Sequence, residues 1–133
     1  CGKRNFGKNW IHIDGGEYNH INSKNIFIKD YKEGSAELIY ASHFIEYFDR
    51  VEIVSLLKRW KEVLKPNGIL RLAVPNFEIF AKLYINGKYS LDSFLGPLYG
   101  KMKMSDDTIY HKTTYDFNSL SNYFKAIYKN KVC

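Results

Sequence analysis

Cysteine is nearly absent: the two that occur, Cys1 and Cys133, are the first and last of 133 residues. Neither belongs to a CxxC spacing, so neither a structural disulfide nor a zinc site is expected. His, Cys, Asp and Glu form no cluster at ligand spacing, and no metal is expected. Proline occurs three times, and Pro66, Pro75 and Pro97 each act as punctuation. No apolar run reaches the roughly 20 residues that a membrane-spanning helix needs. No basic, apolar, small-residue leader opens the chain, which makes the cytoplasm the expected location. Repeats, low-complexity tracts and linkers are missing too, so residues 1–133 read as a single domain.

What is present suits a soluble globular protein with a core of its own: 45% hydrophobic and 26% charged residues. Aromatic content is high at 17%, with 11 Tyr and 9 Phe, and serves packing, a stacked ligand or both. The formal net charge of +6 comes from scattered lysines and arginines, most of them between apolar residues on expected helix faces. No helix-turn-helix, zinc finger or aromatic RNA-binding strand accompanies them, so nucleic acid is not an expected partner. An anionic substrate is compatible with the charge.

The stretch Glu37 to Asn76 organises the rest. Leu38 to Ala41 form a short apolar run ending in Ser42 and His43. Asp49 sits at a helix N-cap with Glu52 three residues on, as in a capping box. Ile53, Val54, Leu56, Leu57, Trp60, Val63 and Leu64 then recur at helical spacing, with charged residues, Arg59 among them, on the other face. Pro66, Asn67 and Gly68 are expected to stop the helix. Ile69 to Val74 is a second apolar run, closed by Pro75. Two apolar strands around one helix make a βαβ unit with parallel strands, apolar enough for burial on both faces. In such sheets ligands bind beyond the carboxyl ends of the strands, here Tyr40, Ala41, Ser42 and His43, and Pro75 and Asn76. Ordinary strand-to-helix turns would leave the same pattern.

Elsewhere, Trp10 to Ile13 read as a short strand whose carboxyl end carries Asp14, and Asn25 to Ile28 as another. Phe77 to Ile85 has helical spacing and stops at Asn86 and Gly87. Ser90 or Asp92 starts a short helix through Leu98, a poor one because of Gly96 and Pro97. Lys101 to Thr114 has no period and is expected to be irregular. Asn118, in preference to Asp116, caps a last helix with Leu120, Tyr123, Phe124, Ile127 and Tyr128 on one face.

Four blocks, CGKR…WIHIDGG, ELIYASHFIEYF, LKRWKEVLKPNGILRLAVPNFE and LYG…YHKTTYDFNSL, span nearly the whole chain. In these it resembles class I S-adenosylmethionine-dependent methyltransferases of a small bacterial type with an IYASHxxEYF segment. The resemblance implies a Rossmann-like, doubly wound, mostly parallel sheet with flanking helices. It makes WIHID the second strand, the Asn25 run the third, ELIYAS the fourth and ILRLAVP the fifth. It also implies a first strand ahead of Cys1 and closing strands after Cys133, so the chain is expected to be shortened at both ends.

The resemblance assigns residues as well. Cys1 and Gly2 match the tail of a glycine loop at the cofactor's carboxylate, where a missing Cβ allows close approach. Asp14 matches the acid that grips both ribose hydroxyls; on its own it also reads as a turn-forming Asp before Gly. Tyr40, Ala41 and Ser42 fall where the fourth strand opens toward the methyl group. His43 follows, as a general base or as a residue that orients the loop. His111 and Tyr115, in the YHKTTYDF block, are further candidates for proton handling or substrate positioning, or pack the segment against the sheet. Glu46 reads as a helix-start or loop-bracing residue in preference to a member of the site. Asn76 replaces the aspartate common in VPDF, which removes any base at that position. The implied activity is methyl transfer from S-adenosylmethionine to a small or surface-polysaccharide-related acceptor. The alternative is a non-catalytic binding module of the same fold.

Overall fold

Asp49 begins the central helix through a reciprocal box. Its Oδ1 accepts hydrogen bonds from the N–H groups of Val51 and Glu52 at 2.7 and 2.8 Å, and Glu52 Oε2 accepts from the Asp49 N–H at 2.9 Å. Helix N–H groups that lack an intrahelical partner are satisfied this way. The helix, α1, runs Glu52–Val63 in this computed structural model, which describes residues 2–104 and 106–128.

The apolar stripe of α1 is the centre of the core. Ile53, Leu56 and Leu57 have no exposed surface, and Trp60 and Val63 have almost none. Each such side chain contributes about 1.5–3 kcal/mol by leaving water, an upper estimate because unfolded chains are partly collapsed. The opposite face is less uniformly wet than its charges suggest. Arg59 lies mostly against the protein and donates to the carbonyls of Lys29 and Tyr31 at 3.2 and 2.6 Å, clamping that turn to α1.

Strand β1 (Ala36–Ser42) precedes α1, and β2 (Leu64–Ala73) follows it; the two pair in parallel. Leu38 aligns with Ile69 and Ser42 with Ala73. The second strand starts at Leu64, earlier than the apolar run suggests, because Leu64 already pairs with Ala36. Register shifts between that pair and the next, and Pro66, Asn67 and Gly68 lie in the resulting irregularity rather than in a helix cap. Asn67 adopts a left-handed φ of 65°. A Cβ on Gly68 would stand 2.9 Å from the Lys65 carbonyl oxygen and 3.2 Å from that of Ala36, so a side chain there would force the backbone apart.

This is a mixed α/β protein with a small parallel sheet and flanking helices. Burial on both faces is not found for β2. Leu70 and Leu72 are half-buried, whereas Ile69, Arg71 and Ala73 are exposed. The expected second and third strands are also not formed. Trp10 to Asp14 contributes only the parallel bridge Ile13–Ser23. Side chains divert the backbone there: Asn22 Oδ1 accepts from the His12 N–H at 2.7 Å, and Ser23 Oγ accepts from the Asn25 N–H at 3.0 Å. Such local bonds compete with a ladder. The Asn25 run is a turn, closed by the Ile28 N–H on the Asn25 carbonyl at 3.0 Å.

Helix α2 (Phe77–Ile85) has the limits its spacing predicts, with Asn76 Oδ1 accepting from Glu78 and Ile79. Helix α3 (Leu91–Tyr99) starts at Ser90, whose hydroxyl accepts from the Ser93 N–H, and it tolerates Pro97 in its last turn. Within the segment expected to be irregular, β3 (Met102–Met104) and β4 (Asp107–Ile109) form a short antiparallel hairpin. The last helix, α4 (Phe117–Tyr128), is capped by Asp116 rather than Asn118: Asp116 Oδ1 accepts from the Ser119 N–H at 2.7 Å, and Ser119 Oγ accepts from the Asp116 N–H at 3.0 Å. Its Tyr128 hydroxyl donates to the Leu57 carbonyl at 3.2 Å, and Lys61 Nζ donates to the Ile127 carbonyl at 2.8 Å, fastening α4 to α1. Among the described residues no helix is long and apolar enough to cross a membrane.

Candidate functional site

Beyond the carboxyl end of β1 the chain turns sharply. His43 takes a left-handed φ of 50°, and its N–H donates to the Ala73 carbonyl at 2.9 Å, extending the bonding to β2 by one residue. A single helical turn, Ile45–Tyr47, follows. The segment after β4 is stitched onto it. The Glu46 carbonyl accepts from the N–H groups of Lys112 and Thr113 at 2.8 and 3.1 Å, and Thr113 Oγ1 donates to the Phe48 carbonyl at 2.9 Å. His111 rests edge-on against Tyr47, with ring centroids 4.8 Å apart. Two sequence-distant blocks thus meet at the end of the parallel pair, bringing His43, His111 and Tyr115 into one cluster.

At its heart is Glu46, which is 1% exposed. Neither carboxylate oxygen has a hydrogen-bond partner among the described residues. The nearest basic group is His43, whose Nδ1 lies 3.7 Å from Oε1. Burial disfavours the charged form and pushes the carboxyl up to about 7, against the lowering effect of the nearby Glu46 and Phe44 N–H groups. Burial shifts His111 the other way, lowering its pKa, with the neighbouring His43 adding to the effect and the Leu98 and Pro97 carbonyls opposing it. His111 Nδ1 is buried without a hydrogen-bond partner among the described residues. Tyr115 is 1% exposed and its pKa is raised well above the usual phenol value, mainly by burial. Its hydroxyl reaches the Ile45 carbonyl at 3.5 Å, and its ring meets Tyr123 edge-on. A phenol so placed is held protonated and braces the turn. By contrast His43 keeps 67% of its side chain exposed.

Asp14 and Gly2 form a second group. Asp14 Oδ2 accepts from the Gly2 N–H and Oδ1 from the Gly16 N–H, both at 2.8 Å. Burial raises the Asp14 pKa, the Gly2 and Gly16 bonds to the charged form are among the influences that lower it, and the net shift is downward. Cys1 lies outside the described residues. Next to Asp14, residues 16–24 surround an open hollow of about 500 Å³ that includes Gly16, Tyr18 and Asn22. Tyr40, Ala41 and Ser42 do not line it. Tyr40 instead meets Phe6 edge-on at 5.9 Å, and Phe6 donates its N–H to His12 Nε2 at 2.9 Å. That chain of contacts joins the Asp14 segment to β1. Ala41 packs on the core, and Ser42 pairs with Ala73.

From sequence, Glu46 ranks as a helix-start or loop-bracing residue ahead of a member of the site. Its one signal was position: an acid in the middle of the aromatic and apolar run Phe44, Ile45, Tyr47, Phe48, where a solvated side chain has no room. Asn76, in turn, has a structural task as the cap of α2. No protein-family model matches the chain, and no curated protein sequence matches it.

Proposed function

We propose that the chain is an S-adenosylmethionine-dependent methyltransferase for a small or surface-polysaccharide-related acceptor, built on a Rossmann-like frame whose centre is the β1–β2 pair. The observation that carries this reading is the end of β1: an exposed imidazole, backed by a buried carboxylate, stands beyond a parallel strand of a βαβ unit. Ligand sites in α/β sheets lie there.

The remaining residues fit the group. The four or so lone-pair sites of a carboxylate let Asp14 serve the Gly2 loop and a ribose diol together. Its lowered pKa keeps it ionised for that task at neutral pH. The hollow beside it, about 500 Å³, is within the range of small-ligand sites, and Tyr18 is among the residues that line it. When bound, the sulfonium cofactor supplies an already activated methyl group. What is left for the chain is to align the acceptor, exclude water and receive one proton. His43 receives it, His111 and Tyr115 position the segment opposite, and Tyr40, Ala41 and Ser42 form the strand end beside the transferred carbon.

A thermal-shift titration with S-adenosylhomocysteine tests the reading. Stabilisation that grows with ligand concentration is expected. An unchanged melting temperature at millimolar ligand would favour the non-catalytic module instead.

A further inference from the structure

The Glu46 backbone and side chain do separate work. Its carbonyl ties residues 112 and 113 to the turn, a task any amino acid performs. Its carboxylate does nothing comparable, since both oxygens are buried and without a hydrogen bond among the described residues. A buried acid left unpaired is costly, and an apolar residue of similar size would suit a packed core better. The titratable groups that act on it directly are His43 and Tyr47, on either side of it in the chain, and Tyr115 ahead of α4, while His111, from the segment after β4, acts on His43. Lys112, the cation bonded through its backbone to this turn, is engaged with Glu52 at 2.9 Å. Besides the backbone N–H groups of Phe44 and Glu46 itself, the basic side-chain nitrogen within 4 Å of the carboxylate among the described residues is His43 Nδ1 at 3.7 Å, three residues back along the chain.

We propose that Glu46 is a positioning residue that accepts the Nδ1 proton of His43, leaving Nε2 unprotonated on the solvent side as the base of the reaction. Closing the pair to hydrogen-bond distance takes less than about 1 Å, and such contacts are commonly long before substrate binds. This inference rests on the methyltransferase reading for the origin of the proton, though not for the pairing itself. In that reaction the acceptor's oxygen or nitrogen bonds to the methyl carbon as the carbon–sulfur bond breaks. The acceptor's proton passes to His43 Nε2, the thioether leaves with the former sulfonium electron pair, and Nε2 later releases the proton to water. The carboxylate stabilises the imidazolium in between, as an orienting acid does behind a catalytic histidine. The arrangement also gives the burial of Glu46 a purpose: a water-filled setting would let His43 rotate and exchange tautomers.

The experiment is a two-bond ¹H–¹⁵N correlation spectrum of the full chain labelled at histidine, at a pH where His43 is uncharged. The expected result is His43 mainly as the Nδ1–H tautomer, the reverse of the preference of a free histidine side chain. In Glu46→Met, which replaces a buried acid by an apolar side chain of nearly the same volume, the melting temperature should hold or rise and His43 should revert to the Nε2–H form. An Nε2–H tautomer in the unmodified chain, or no change of tautomer in Glu46→Met, overturns the proposal. Should Glu46→Met not fold, the spectrum of the unmodified chain decides alone. Binding of S-adenosylhomocysteine is measured separately, so a failure of the cofactor reading leaves the tautomer result standing and is told apart from a failure of the pair.

Discussion

His111 is seated directly on Gly100: a Cβ built on that glycine would run into Nε2, Cδ2 and Cε1 of the imidazole. Gly100 also has a left-handed φ of 54°. The close of α3 therefore sets where His111, and with it the segment sewn to Glu46, can lie.

Gly100→Ala is expected to destabilise the fold by about 1–3 kcal/mol, since both the overpacking and the φ are unfavourable. Urea unfolding measures it. Combining it with His111→Ala removes the clash, so the double variant should lose less than the sum of the two single ones. Strict additivity would show that the contact is not what makes the glycine necessary.

The raised Glu46 pKa makes stability depend on pH in a stated direction. Between 4.5 in the unfolded chain and about 7 in the fold, the folded state keeps a proton that the unfolded chain has lost. Stability therefore declines as pH rises through that window, by at most about 3 kcal/mol. Asp49, Glu52 and Asp116 have lowered pKa values, through backbone bonds from Glu52 to Asp49, from Asp49 to Glu52 and from Ser119 to Asp116. Their contribution is present above the unfolded values and lost as pH falls through the folded ones. A maximum near about pH 5 follows. Glu46→Gln should flatten the decline above it, measured as urea midpoints at pH 5 and pH 8; an unaltered slope would mean that the acid ionises freely.

Asn76 separates capping from chemistry. Asn76→Ala should destabilise α2 by about 1 kcal/mol, whereas Asn76→Asp, an equally good cap whose charge suits the helix start, should leave stability within about 0.5 kcal/mol. Thermal denaturation of the two variants checks this, and equal losses would remove the capping role.

The parts of the fold written in local pattern are those the sequence shows. The stripe from Ile53 to Val63 has one solution, and the Asp49 box and Asn86–Gly87 mark helix ends without tertiary help. Strand formation at Trp10 to Ile13 and at Asn25 to Ile28 is another matter, because a strand needs a partner and side chains bond the backbone first, Asn22 at His12 and Ser23 at Asn25. The choice of Asp116 over Asn118 depended on Ser119 returning the bond, which composition alone does not rank. His43 is readable as a site candidate from its place after a parallel strand, and His111 only from the resemblance of its YHKTTYDF block. The burial of Glu46 is not readable, since it arises where two blocks 60-odd residues apart in the chain close on each other.

The central claim is that the Asp14 group and the end of β1 hold one ligand between them. Chemical-shift mapping of backbone amides with S-adenosylhomocysteine tests it most directly. The account predicts coincident, saturable shifts at Gly2, Gly16 and residues 40–43, weakened about tenfold in apparent affinity by Asp14→Asn, equivalent to about 1.4 kcal/mol. Shifts at one of the two groups alone, or none at millimolar ligand, would contradict it.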